Sequence, residues 1–203
     1  ATATPMAAVA TQQRDPGRLG QTLARYRFVA EMLDGRRDVA EYGCVDAFGS
    51  ALIQRRVRKV TVYDPESANL AELYRQSDEA EPIVARVHDA FAAPLPATHD
   101  AIYCLDAIER IARGEEDVFL RNLARSLASD HGLLLLGSAT TGADHRGPGG
   151  GTLRRDGAEL KALLERHFHM VLSFAMVDET VHPGIVRAAD YAFALGCGRK
   201  ERP

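Results

Sequence analysis

Nine residues of this chain have types and positions that could do chemistry: Glu41, Gly43, Asp64, Asp89, Phe91, Asp106, Glu109, His145 and His182. Asp64 ends the run VTVYD, about 20 residues beyond the turn at Gly43. A carboxylate there could accept two hydrogen bonds from a ribose diol, or serve as a helix cap before the next segment. Asp89, in HDAF, could accept from an exocyclic amine of a base, with Phe91 flanking the ring; a solvated loop acid is the alternative. Asp106 and Glu109, in YCLDAIERI, stand three apart, so a helical start puts them on one face. They could hold a cation, or act as a general base toward an amine or hydroxyl. Equally, Asp106 could cap the helix and Glu109 lie exposed beside Arg110 or Arg113. His145 and His182 fall in loops, where histidine can shuttle a proton near neutral pH or stand solvated. His99, His131, His167 and His169 read as structural, since HFH lacks the spacing of a helical metal pair and no third ligand accompanies it.

The elements that must hold these residues follow from periodicity. Arg18 to Leu33 carries apolar residues on helical spacing and stops at Gly35. Val39 to Gly43 is a strand, Phe48 to Arg56 a helix, and Val60 to Tyr63 a second strand. A helix over Ser67 to Gln76, a strand over Ile83 to Val87 and another over Asp100 to Leu105 continue the alternation. Glu115 to Ala128 is a helix with acids in its first turn. Gly132 to Gly137 contains LLLL, a strand buried on both faces. A glycine-rich loop spans Gly142 to Gly151. Asp156 and Glu159 form a capping-box pattern that opens the last helix. Met170 to Val177 and Ala189 to Gly196 close the chain as antiparallel strands, joined by a loop with His182 and Pro183. The expectation is a single α/β domain: an arm over 1–16, a helix over 17–34 and a core over 37–197. Strand–helix alternation gives a mostly parallel sheet with helices on both faces. Ligands of such sheets bind beyond the carboxyl ends of the strands, where the candidate residues fall.

Composition narrows the functions. A chain of 203 residues, 46% hydrophobic, can bury a full core. A net charge of −3 does not favour nucleic acid. No apolar run is long enough to span a bilayer. Three widely spaced cysteines, Cys44, Cys104 and Cys197, suggest neither a zinc site nor a disulfide scaffold. These features fit a cytoplasmic protein with a small-molecule substrate.

The run VAEYGCVDAFGS…VTVYDP…HDAF…LDAIER…GLLLLGSAT resembles the class I S-adenosylmethionine-dependent methyltransferases, from about Val39 to Leu195. The resemblance implies a Rossmann-like seven-stranded sheet with an antiparallel last strand. It implies that the first loop, E-x-G-x-G-x-G in the family, cradles the methionine part of the cofactor. Here that loop is Glu41, Tyr42, Gly43, Cys44, Val45, Asp46, Ala47. It further implies that Asp64 holds the ribose, that Asp89 meets the adenine amine and that Asp106 and Glu109 match the segment after the fourth strand, with Arg110 where histidine is common.

The departures in the first loop set the expectation about the cofactor. Val45 is β-branched and poorly suited to positive φ, and strain there would cost about 1–3 kcal/mol. The expectation is therefore a methyltransferase-like protein that has lost normal cofactor binding and carries no cofactor. It would act as a repurposed elimination- or cyclisation-type enzyme, or as a subunit of a biosynthetic complex with a hetero-oligomeric partner or as a homodimer. The alternative is an active S-adenosylmethionine-dependent methyltransferase with a small-molecule acceptor.

Overall fold

The computed structural model describes residues 16–43, 47–76, 83–140 and 153–200. Cys44, Val45 and Asp46 lie outside these, as do residues 1–15 of the expected arm over 1–16, the glycine-rich loop and His145. The expected steric block at Val45 thus lies outside the described residues.

Helix α1 (Pro16–Met32) leads into β1 (Asp38–Tyr42), α2 (Ala47–Gln54), β2 (Lys59–Asp64), α3 (Ser67–Gln76) and β3 (Val84–Val87). Strand β4 (Ala101–Leu105), a 3-10 turn (Ala107–Arg110), α4 (Glu116–Arg125), β5 (Leu133–Ala139) and α5 (Gly157–Glu165) follow. The chain closes with β6 (Phe168–Val177), β7 (Thr180–Pro183) and β8 (Tyr191–Arg199). Local chemistry explains the ends. Pro16 opens α1, where a missing N–H costs nothing. The capping box at α5 forms as its spacing predicts: Asp156 accepts from the Glu159 amide and Glu159 from the Asp156 amide, both at 2.9 Å. Helix α4 stops three residues short of the sequence expectation. Leu127 instead bridges His99, whose backbone bonds Ser126 and Ala128 at 2.9 Å, so extended pairing displaces the last helical turn.

The sheet is mixed, in the order β3-β2-β1-β4-β5-β8-β6-β7. Strands β1 to β5 run parallel to one another, and β8 is antiparallel to both β5 and β6. There are eight strands where seven were expected. The additional one is β7, which the sequence reading treated as a loop. A two-residue turn at Asp178–Glu179, with Asp178 at φ 54°, folds Thr180–Pro183 back onto the open edge of β6. Aspartate tolerates that left-handed conformation, and proline is accepted on an edge strand.

Alternating side chains serve two cores. Val39, Tyr103 and Leu135 face the side covered by α1, α2 and α3; Ala40, Ile102, Cys104, Leu134 and Leu136 face α4 and α5. Both faces are buried, which is why β5 reads as an uninterrupted apolar run. Phe28 of α1 stacks between Phe174 and Phe193, with centroids 4.9 and 4.6 Å away. Among the described residues no helix is long and apolar enough to cross a membrane.

Candidate functional site

Strand order reverses between β1 and β4, and the crevice outside their carboxyl ends is where this architecture receives ligands. Gly43 stands at its lip with φ +79°. A Cβ there would come within 2.5 Å of the Ala107 Cβ. Glycine is thus required twice, for the left-handed backbone and for the close approach of the segment after β4.

Glu41 lies two residues earlier on the face toward α1. It is buried and accepts from Tyr103 Oη at 2.7 Å, Tyr26 Oη at 3.2 Å and the Ser50 hydroxyl. These three hydroxyls tie α1, α2 and β4 to the carboxylate of the residue expected to border the cofactor. Gly49 leaves room in α2 for the Tyr26 ring.

Asp64 is fully buried at the end of β2. Its Oδ1 accepts from the Glu66 amide at 2.8 Å and from Asn69 Nδ2 at 3.0 Å. Its Oδ2 is buried and has no hydrogen-bond partner among the described residues. The turn reading of Asp64 is met by Oδ1 alone. Burial pushes the carboxyl upward, against the Glu66 and Asn69 hydrogen bonds that favour the charged form. An unmet buried acceptor costs about 1–3 kcal/mol, which a hydroxyl donor would relieve.

The loop after β3 is pinned at both ends. Tyr42 Oη accepts from the Ala90 amide at 3.0 Å and reaches the His88 carbonyl at 3.4 Å. Desolvation raises that phenol to about 12, so it stays a neutral donor and acceptor. Asn122 of α4 donates to the Ala90 carbonyl at 2.8 Å. Within the loop Asp89 is exposed and its Oδ1 accepts from the Phe91 amide at 2.9 Å. Phe91 leans on Phe119 with centroids 5.6 Å apart and stays partly exposed. Asp89 and Phe91 are thus held side by side on the same edge as Asp64. Sequence reasoning missed Tyr42 and Asn122, because neither carries a motif and each acts only through long-range hydrogen bonds.

The two acids after β4 depart from the reading in which Asp106 caps a helix and Glu109 lies exposed. Asp106 sits at φ 63°, in the left-handed region, and its side chain makes no cap hydrogen bond. Its Oδ2 lies 3.4 Å from Arg25 of α1, and its carboxylate also faces the buried Tyr191 hydroxyl. The Arg25 guanidinium also covers the Tyr191 ring, 4.0 Å from its centroid. Glu109 is buried, not exposed; Arg113 pairs with Glu159 instead. Its Oε1 accepts from the Ala139 amide at 2.7 Å and Ser138 Oγ at 3.0 Å. Burial, and then the Asp106 charge, raise the Glu109 carboxyl despite those two bonds. A carboxyl raised in this way beside a crevice is suited to accept a proton.

His182 is brought to none of these. It is exposed on β7, paired with Ala175 at the far edge of the sheet. Four strand spacings separate β7 from β4, about 19 Å. His99 is held away from the crevice by Asp38 at 2.6 Å and Tyr63 at 3.2 Å. Among the described residues no three His, Cys, Asp or Glu side chains gather as a metal site.

No protein-family profile matches the chain, and a comparison with curated proteins finds no match. Solved structures do match. The N-methyltransferase NodS from Bradyrhizobium japonicum WM9, in complex with S-adenosyl-l-homocysteine, superposes with a TM-score of 0.68 at 14% identity, over 91% of this chain and 88% of that one. Magnesium protoporphyrin IX methyltransferase from Synechocystis PCC 6803, with bound SAM, gives 0.62 at 16% identity, over 89% and 80%. The DhpI–SAH complex gives 0.62 at 19% identity, over 89% and 84%. These neighbours correct the expectation that a chain of this kind works with no cofactor, since each was solved with the methyl donor or its demethylated product. Val45 lies outside the described residues, and the lip it adjoins keeps at Gly43 the glycine that the backbone there requires. Two-layered burial, strand order and these superpositions agree that the chain has the Rossmann-like fold of the class I S-adenosylmethionine-dependent methyltransferases.

Proposed function

We propose that this chain is an S-adenosylmethionine-dependent methyltransferase acting on a small-molecule acceptor. The observation that carries the reading is Asp64, a fully buried carboxylate with one oxygen spent on its own turn and the other without a partner among the described residues, at the carboxyl edge of the sheet. That arrangement fits a ribose hydroxyl. When bound, the cofactor supplies an electrophilic methyl group, and transfer requires little beyond in-line placement of the acceptor. Asp64 Oδ2 would hold the ribose, while Asp89 accepts from the adenine amine and Phe91 flanks the ring. The backbone at Gly43 would border the methionine end. Glu109 would take the acceptor's proton at Oε2, since Oε1 is engaged by Ala139 and Ser138. Arg25 and Asp106 would close the crevice from the α1 side. Cytoplasmic operation suits Cys104, a free thiol buried in β4.

Calorimetric titration of the purified protein with S-adenosylhomocysteine tests the proposal. Binding in the micromolar range is the expected outcome; no heat at millimolar ligand overturns it.

A further inference from the structure

Arg155 is the bulkiest fully buried side chain among the described residues, and cofactor binding does not account for it. A guanidinium is tolerated in such a place only when paired and hydrogen-bonded. Its partners are Glu116 at 2.7 Å, itself buried, the Ile111 carbonyl at 3.1 Å and the Leu153 carbonyl. One side chain thus joins the segment after the 3-10 turn, the start of α4 and the strap formed by residues 153–156.

The strap touches Glu109 by two routes. Its Leu153 amide donates to the Glu109 carbonyl at 2.9 Å. Its Arg155 amide donates to Ser138 Oγ at 3.0 Å, and that hydroxyl reaches Glu109 Oε1 at 3.0 Å. A serine hydroxyl has one hydrogen. An amide donating to its lone pair turns that hydrogen away from the strap, toward Glu109 and the adjoining Ala139 carbonyl. We propose that Arg155 is a positioning residue. By clamping the strap it aims the Ser138 hydroxyl at Glu109 Oε1, so that Oε2 is the oxygen presented to the acceptor. The proposal rests on the methyltransferase reading for the origin of the proton that Oε2 receives; the coupling of Arg155 to Glu109 does not depend on it.

The test reads Glu109 directly. Carboxyl carbon labelling of glutamate and NMR titration, with Glu109→Gln to identify the signal, give its midpoint in the wild type and in three variants. Arg155→Met with Glu116→Met removes a neutral pair, and Asp106 and Arg154, the charged groups facing Glu109, are kept. Ser138→Ala removes the relay alone. Should the methionine pair lose cooperative melting, Arg155→Lys keeps the charge but lacks the fork that reaches Ile111 and Leu153, and carries the same expectation. A weakened donor makes the charged form less favourable, so the midpoint should rise by about half a unit, roughly threefold in ionisation constant. An unchanged or lowered midpoint in a folded Arg155 variant overturns the proposal. Calorimetry with S-adenosylhomocysteine on the same samples separates the two claims. Affinity within about twofold of wild type is expected in each folded variant, because no ligand contact is altered. Silence in the wild type removes the methyltransferase reading and leaves the coupling to be judged by the midpoint.

Discussion

Asp64 divides its two oxygens. Its Oδ1 closes a turn with Glu66 and Asn69 while Oδ2 is buried with no hydrogen-bond partner among the described residues. Asp64→Ala should weaken S-adenosylhomocysteine binding by about 2 kcal/mol, roughly thirtyfold, by calorimetry. An affinity equal to wild type would place the ribose elsewhere. Glu109 gives a prediction in pH. Its folded carboxyl is raised, first by burial and then by Asp106. An acid raised on folding binds its proton more tightly in the native state, so its contribution to stability falls as pH climbs from the ordinary carboxylate range through the raised value. Glu109→Gln cannot titrate and should lose that dependence. The fall in Tm between about pH 5 and pH 8 should be smaller in the variant than in wild type by scanning calorimetry; an equal or steeper fall would show that Glu109 is not raised.

Helix α1 does more than cover one face of the sheet. Its Tyr26 reaches Glu41, its Phe28 fills the space between Phe174 and Phe193, and its Arg25 spans Asp106 and Tyr191. The helix therefore joins the strand-reversal crevice to the antiparallel end of the sheet. Phe28→Ala should cost about 3–5 kcal/mol in denaturant unfolding, the range for a large ring lost from a packed core. A cost below about 1 kcal/mol would mean that α1 is only loosely attached. The segment after β4 shows why local reading failed there. LDAIER has the look of a helix start, with two acids on one face. A left-handed Asp106 instead leads into a short 3-10 turn, pressed against Gly43 and tied to β5 by the Asp106 amide and the Gly137 carbonyl at 3.0 Å. That turn sends Glu109 inward.

One sheet runs from β3 to β7 and separates two cores that share every central strand. Opening either core exposes the other, so the chain should melt in a single transition. A ligand seated at the strand reversal touches elements from both halves and should stabilise all of them. At a hundred times its Kd, S-adenosylhomocysteine adds about 2.7 kcal/mol, which for a domain of this size is roughly 5–10 °C in Tm. One transition moving upward by that amount, followed by scanning calorimetry, is the expected result. Two transitions, or one that does not move, would contradict a shared core with the ligand at its centre.

Much of this was legible from residue order alone. The alternation of β-branched runs with amphipathic stretches, the LLLL strand, the capping box at Asp156 and the acid ending β2 are set by periods of 2 and 3.6 and by short-range hydrogen bonding, which neighbours in sequence suffice to satisfy. The placement of Asp64, Asp89 and Glu109 on one edge follows from the same alternation, because parallel strands put every βα turn on one side. Long-range packing settled the remainder. Whether Glu109 is exposed or buried depends on Ser138 and Ala139, some 29 and 30 residues away. That Glu41 is occupied depends on a tyrosine from α1 and another from β4. That His182 pairs in an edge strand far from the crevice depends on the open side of β6. Each is decided by a partner distant in the chain, and the free energy of a hydrogen bond or of burial exists only once folding brings that partner into reach.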